Sequence, residues 1–167
     1  MFKQVVLPLL AVIAFIVIVG IFVQKSGSIK LGFQTPPLAT ITPNKTMTVG
    51  TKTIHVQIAN TPDERSKGLS GITSLGENDG MLFVFTPKDA AIFWMKEMLF
   101  PLDMVWINNG KIVRIDKNIP KPAAGTSDSQ LKKYSAGQLV DDVLEVNAGF
   151  SDKNKIKVGD AVNLSGI

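Results

Sequence analysis

The chain has 167 residues, with 18 Lys and Arg against 14 Asp and Glu, one His, no Cys and 45% hydrophobic content. That length suits one ordinary domain plus an appendage, and the lack of Cys excludes disulfides, Cys-ligated zinc or iron–sulfur centres and a thiol nucleophile. The net charge of +4 does not point to nucleic acid, because Lys3, Lys25, Lys30 and Lys45 carry all of it and residues 46–167 hold 14 basic and 14 acidic side chains; a neutral domain gains little from counterion release.

Residues 5–23, VVLPLLAVIAFIVIVGIFV, contain no charged side chain, and at about 1.5 Å per residue they cross nearly 30 Å of hydrocarbon. A cleaved secretory signal has a shorter apolar core, of about 7–15 residues, followed by a small-residue site. The expectation is therefore an uncleaved single-pass anchor, with a cleaved signal as the alternative. Lys3 on one side is matched by Lys25 and Lys30 on the other, so the positive-inside count does not orient it. A short leading flank with the bulk of the chain downstream resembles a signal anchor that leaves the domain outside the cytoplasm. Residues 24–45, rich in Gly, Ser, Thr and Pro without periodicity, read as a flexible linker. Residues 46–167 read as the folded domain.

Ile54, Val56 and Ile58 alternate with Thr53, His55 and Gln57, the period of a half-buried strand that turns His55 away from the core. Thr61-Pro62-Asp63-Glu64 then supplies an N-cap hydroxyl, a proline at the first helical position and a glutamate at the third, with Gly68 placed to end a short helix over 61–68. Asp79-Gly80 predicts a turn, residues 81–85 and 91–95 short strands. Residues 102–107 and 111–115 flank Asn108-Asn109-Gly110, a tight hairpin signal. Strands are also expected at 140–146 and 158–164, with Ser151 capping a single turn between them. Residues 117–138, which hold the one tyrosine, Tyr134, form a long connection read as slack or a lid. The expected fold is mainly β, a compact sandwich or barrel with one short helix.

Four blocks carry a resemblance: GLSGI at 68–72, DGMLFVF at 79–85, FWMKEMLFPLDMVWI at 93–107 and VLEVNAGF at 143–150. In order and spacing they resemble the domain-of-unknown-function family 192, over about residues 50–165. The resemblance implies a compact β-rich domain, often behind an export signal, with no assigned activity. The chain departs from the family pattern at Glu97 and Met98, where Asn and Thr commonly follow Trp-Met-Lys, and at Gly71, near a usual Arg.

Asp103 shares a strand face with Val105 and Ile107, which predicts partial desolvation of its carboxylate. Pro101 holds Phe100 extended and is expected to fold the chain back so that Lys96 pairs with Asp103, with Arg65 and Glu145 as further partners. Two readings stay open: an ion pair that fixes strand register, or the edge of a concave ligand site with Trp94 as apolar platform. The ligand-binding candidates are thus Arg65, Trp94, Lys96, Asp103 and Glu145. The leading functional expectation is a membrane-anchored domain that binds a small polar ligand or an envelope partner without catalysis. One alternative is a glycoside hydrolase using Asp103 and Glu145, which requires their carboxyl groups about 5–10 Å apart. Another is a Cu(I) module built from Met81, Met95, Met98, Met104, His55 and Trp94, although Met in apolar strands is usually core. No phosphate-cradling loop and no nucleophile elbow occur in the sequence, and neither a resident metal nor a cofactor is expected.

Overall fold

The computed structural model describes residues 39–167. The expected anchor at 5–23 lies outside the described residues, as does the expected linker up to residue 38. Among the described residues no helix is long and apolar enough to cross a membrane. Residues 39–44 already engage the domain: Ala39 accepts the Thr73 N–H at 2.8 Å and Thr40 bridges Ser74.

The fold is mainly β. In chain order come β1 (Lys45–Val49), β2 (Lys52–Ala59), helix α1 (Pro62–Lys67), β3 (Asp79–Asp89), β4 (Phe93–Trp94), β5 (Leu102–Asn108), β6 (Lys111–Ile119), a 3-10 turn at Asp128–Gln130, β7 (Lys133–Tyr134), β8 (Val140–Asn147), α2 (Phe150–Lys153) and β9 (Val162–Asn163). Seven strands form one sheet in the order β6-β5-β8-β3-β2-β1-β9, and β4 pairs with β7 apart from it. All pairs are antiparallel except β2 with β3, whose parallel register requires the crossover that α1 provides.

The sheet curls until its edges approach. The segment before β9 meets the start of β6 through Gly159 N–H to the Ile112 carbonyl (2.8 Å), Ile112 N–H to Asp160 (3.0 Å) and Val162 N–H to Gly110 (2.8 Å). This produces a partly closed barrel rather than two packed sheets. Its inner face carries Ile54, Val56, Leu82, Val105, Ile107, Leu144 and Val146, plugged by Phe150 of α2 and by Ile156. The outer face carries Met81, Phe83, Met104, Trp106 and Val143, covered by Leu69 and Leu75 after α1 and by Ala91, Met95 and Met98 around β4. Both faces are therefore apolar, which explains why six successive residues of β5, Leu102 to Ile107, are buried rather than every second one.

Helix α1 buries none of its residues, so its ends must hold it. The capping box is complete: Thr61 Oγ1 accepts the Glu64 N–H at 3.2 Å, and Glu64 Oε2 accepts from Thr61 and Asn60, each at 3.0 Å. The hairpin at Asn109-Gly110 forms as expected, with both residues at positive φ. His55 points outward and lies 3.5 Å from Asp79.

Several elements differ from expectation. Asp79 and Gly80 lie inside β3, because a Cβ at residue 80 would fall 2.7 Å from the Glu145 carbonyl and the glycine serves close strand approach rather than a turn. The strand expected at 91–95 shrinks to β4, and that expected at 158–164 to β9, since the chain before β9 turns across the barrel edge. Ser151 does not cap α2. Gly149 occupies the N-cap, and the Ser151 hydroxyl is buried without a partner. The 117–138 connection is not slack: β6 runs on to Ile119, and β7 buries Tyr134 against β4.

Candidate functional site

A cavity of about 360 Å³ lies where the outer sheet face meets the segments that cover it. One wall is α1 and the turn after it, which present Arg65, Ser66, Lys67 and Ser70. The opposite wall is the β4 segment with Ile92, Phe93, Trp94, Lys96 and Met98, and the sheet contributes Phe83, Phe85, Asp89 and Glu145. The aromatic wall is rigid because Phe93 sits edge-on to Phe83 (centroids 4.8 Å apart) and to Trp106 (5.6 Å). Ile92 is 60% and Trp94 47% exposed, so the mouth is apolar.

Glu145 is the polar group of the cavity floor. It is 4% exposed. In register it faces Met81 on β3 and Met104 on β5, so both lateral neighbours are thioethers that offer no proton. No hydrogen bond or charge among the described residues offsets its burial, which pushes the carboxyl up to about 8. Burial thus favours the carboxylic acid over the carboxylate at Glu145.

Four of the five sequence candidates line this cavity, Arg65, Trp94, Lys96 and Glu145. The fifth does not. Asp103 is fully buried and pairs in register with Val146, an inner-face residue, whereas Glu145 pairs with Met104 on the outer face. The expected desolvation of Asp103 is present, but its partners are backbone groups. It accepts N–H bonds from Asn118 (2.8 Å), Gly149 (3.1 Å) and Ser151 (2.9 Å), and so joins β6 to the start of α2. The expected Lys96–Asp103 pair is therefore absent, because Asp103 faces the inner side of the sheet while Lys96 lies on the segment after β4 that covers the outer side. Lys96 pairs instead with Asp128 at 2.6 Å, and the hydrogen bond to that carboxylate, with its charge, holds the ammonium above its usual range.

Arg65 is partly structural. Its Nη1 donates to the carbonyls of Asn60 (2.7 Å) and Val84 (3.0 Å), and its guanidinium lies 5.2 Å from the Phe85 ring centre. Trp94 stands at the mouth with Lys133 5.9 Å from its ring. Met81, Met95, Met98 and Met104 share one buried cluster. His55 lies on the exposed surface with Asp79.

Sequence reasoning missed Asp89, Phe85, Phe93, Ser66, Lys67 and Ser70 in the lining. The spacing of Phe83 and Phe85, two residues apart on one strand, was the available signal. The departure at Glu97 acquires a physical meaning, since this residue has φ 56°, a left-handed conformation that Asn adopts more readily than Glu. Met98 places a thioether in the cavity wall where the family commonly has a hydroxyl.

Comparison with known proteins places this geometry. A crystal structure of a protein of unknown function from Novosphingobium aromaticivorans DSM 12444 superposes with a TM-score of 0.63 at 29% identity, covering 71% of this chain and 83% of that one. A protein from Sinorhizobium meliloti 1021, provisionally named a transcription regulator, superposes with a TM-score of 0.66 at 26% identity, covering 76% and 98%. No curated protein matches the chain. The family model DUF192, "Uncharacterized ACR", matches residues 44–164, a span that holds the barrel and every cavity residue, and the chain belongs to that family.

Proposed function

We propose that this chain is a membrane-anchored, extracytoplasmic domain that captures a small polar ligand, free or borne on a cell-envelope component, in the cavity beside α1 and without catalysing a reaction. One observation carries the reading: Glu145 is buried, lacks any partner among the described residues and opens into a preformed cavity with an aromatic wall. Burying a carboxyl without a partner is costly, and a ligand that bonds it recovers that cost. The anchor rests on the nineteen uncharged residues at 5–23.

The geometry does not favour the glycoside hydrolase. Asp103 and Glu145 stand on opposite faces of the sheet, so they cannot flank one glycosidic bond. Asp89, the other carboxylate of the cavity, lies opposite Val140. Val140 is five residues from Glu145 along β8, so Asp89 enters the cavity well along the strand from Glu145 rather than beside it.

Cu(I) binding is a second reading with one observation in its favour: Met81 and Met104 flank Glu145 in register, and Met98 lines the same cavity. Thioethers suit Cu(I).

To test the leading reading, full-length protein is screened by thermal shift against N-acetylglucosamine, short glycans and small amides, with Cu(I) as a separate arm. A rise in melting temperature with an organic probe, abolished by Glu145→Leu, is expected. A response to Cu(I) alone, lost in Met98→Leu, would replace it with the second reading. Resistance of the cellular protein to alkaline carbonate extraction, with digestion of the domain by protease added outside intact cells, is expected for the anchor. Release by carbonate would refute it.

A further inference from the structure

The protonation of the group at the cavity floor decides what the site recognises. Met81 and Met104 face Glu145 from the strands on either side, and neither titrates. Across the cavity the charged groups are Arg65 and Lys67 of α1, Asp89 at the end of β3 and Lys96 after β4. Arg65 is bonded to two carbonyls and stacks near Phe85, and Lys96 is paired with Asp128. None of these cations compensates Glu145. Ionising it would leave a lone buried charge beneath an aromatic wall, so the site favours the protonated carboxyl.

A protonated carboxyl sets one O–H donor beside one C=O acceptor. Its complement is an acceptor beside a donor, the edge of a primary amide or a lactam. A carboxylate, by contrast, selects amidinium, guanidinium or ammonium groups. Phe85, Phe93 and Trp94 supply the apolar surface against which a flat body would lie.

On the ligand-binding reading above, we infer that the cavity recognises a neutral amide edge, a primary amide or lactam on a flat apolar body, through a two-point hydrogen bond with the buried Glu145 carboxyl, and discriminates against the corresponding cation.

Benzamide and benzamidine separate these cases, being alike in shape but neutral and cationic. The full chain is labelled with ¹³C-methyl Met in detergent micelles and titrated with each. Met98 in the wall, with Met81 and Met104 beside Glu145, reports occupancy, while Met47 in the inner cluster reports folding. At about pH 6.5 benzamide should shift the Met98 methyl at roughly one tenth the concentration benzamidine needs, a difference of about 1.4 kcal/mol. By about pH 9.5 that preference should shrink or reverse. Glu145→Gln keeps a neutral donor beside an acceptor, so it should retain benzamide binding and lose its pH dependence. Glu145→Leu should lose binding with the Met47 signal unmoved.

Equal or tighter binding of benzamidine at the lower pH would overturn the inference while leaving ligand capture standing. So would benzamide affinity that does not change with pH, or its loss in a folded Glu145→Gln protein. If neither probe nor any glycan or amide moves Met98, the inference and the reading beneath it both fall.

Discussion

Glu145 and Asp103 show how two acidic side chains one register step apart meet opposite fates. Asp103 faces inward and is met by three backbone N–H donors, while Glu145 faces outward between two methionines and meets none. Burial raises the Glu145 carboxyl from its ordinary 4.5 to about 8, so between those limits the native state holds a proton that the unfolded chain has released. Stability should therefore fall as pH rises from 4.5 to 8. Asp142, pushed up to about 6 by burial and then by the Asp141 charge, adds a loss of the same sign over a lower window. Glu145→Gln cannot ionise in either state, so at pH 7 it should exceed the parent by about 3 kcal/mol in urea unfolding; equal stabilities would contradict the assigned state. Asp103→Asn turns an N–H₂ group toward N–H donors and should cost about 2–4 kcal/mol at pH 7, with no effect on a ligand in the cavity. A loss of under 0.5 kcal/mol would mean that those three bonds carry little.

At the scale of elements, α1 and the β4 segment build the two cavity walls; the β4 segment packs into the outer-face core, whereas α1 buries none of its own residues. Thr61→Ala removes one half of the capping box and should destabilise the domain by about 1 kcal/mol, with faster hydrogen exchange concentrated in residues 62–70. Uniform acceleration across the sheet instead would show that α1 is not a separate wall. These elements also mark what the chain discloses by itself. The Thr61-Pro62-Asp63-Glu64 cap and the Asn109-Gly110 hairpin were legible because local chemistry determines them. The closed barrel edge was not, since it depends on the 159–162 segment meeting β6 about fifty residues away, and contacts of that range leave no periodic trace. The Lys96–Asp128 pair was missed for a related reason: Asp128 sits in a stretch without hydrophobic pattern, and only the short β4–β7 pairing brings it near.

For the whole molecule, one curled sheet with two apolar faces does two jobs. The inner face makes the core that holds the fold, and the outer face, incompletely covered, leaves a cavity with a single deep polar group. Four of the five site candidates were legible in sequence because they cluster in the Trp-Met-Lys block, on the capped helix and on β8. Asp103 was assigned to the wrong side of the layer, since alternation shows which residues share a face but not which face opens to a ligand. Ligand recognition at that opening depends on Glu145 being a neutral acid. Its carboxyl ¹³C resonance, assigned by its absence in Glu145→Gln, can be followed by NMR through a pH titration of the ligand-free protein. A midpoint near 8 is predicted, whereas a midpoint between about 4 and 5, the ordinary range for glutamate, would contradict the account.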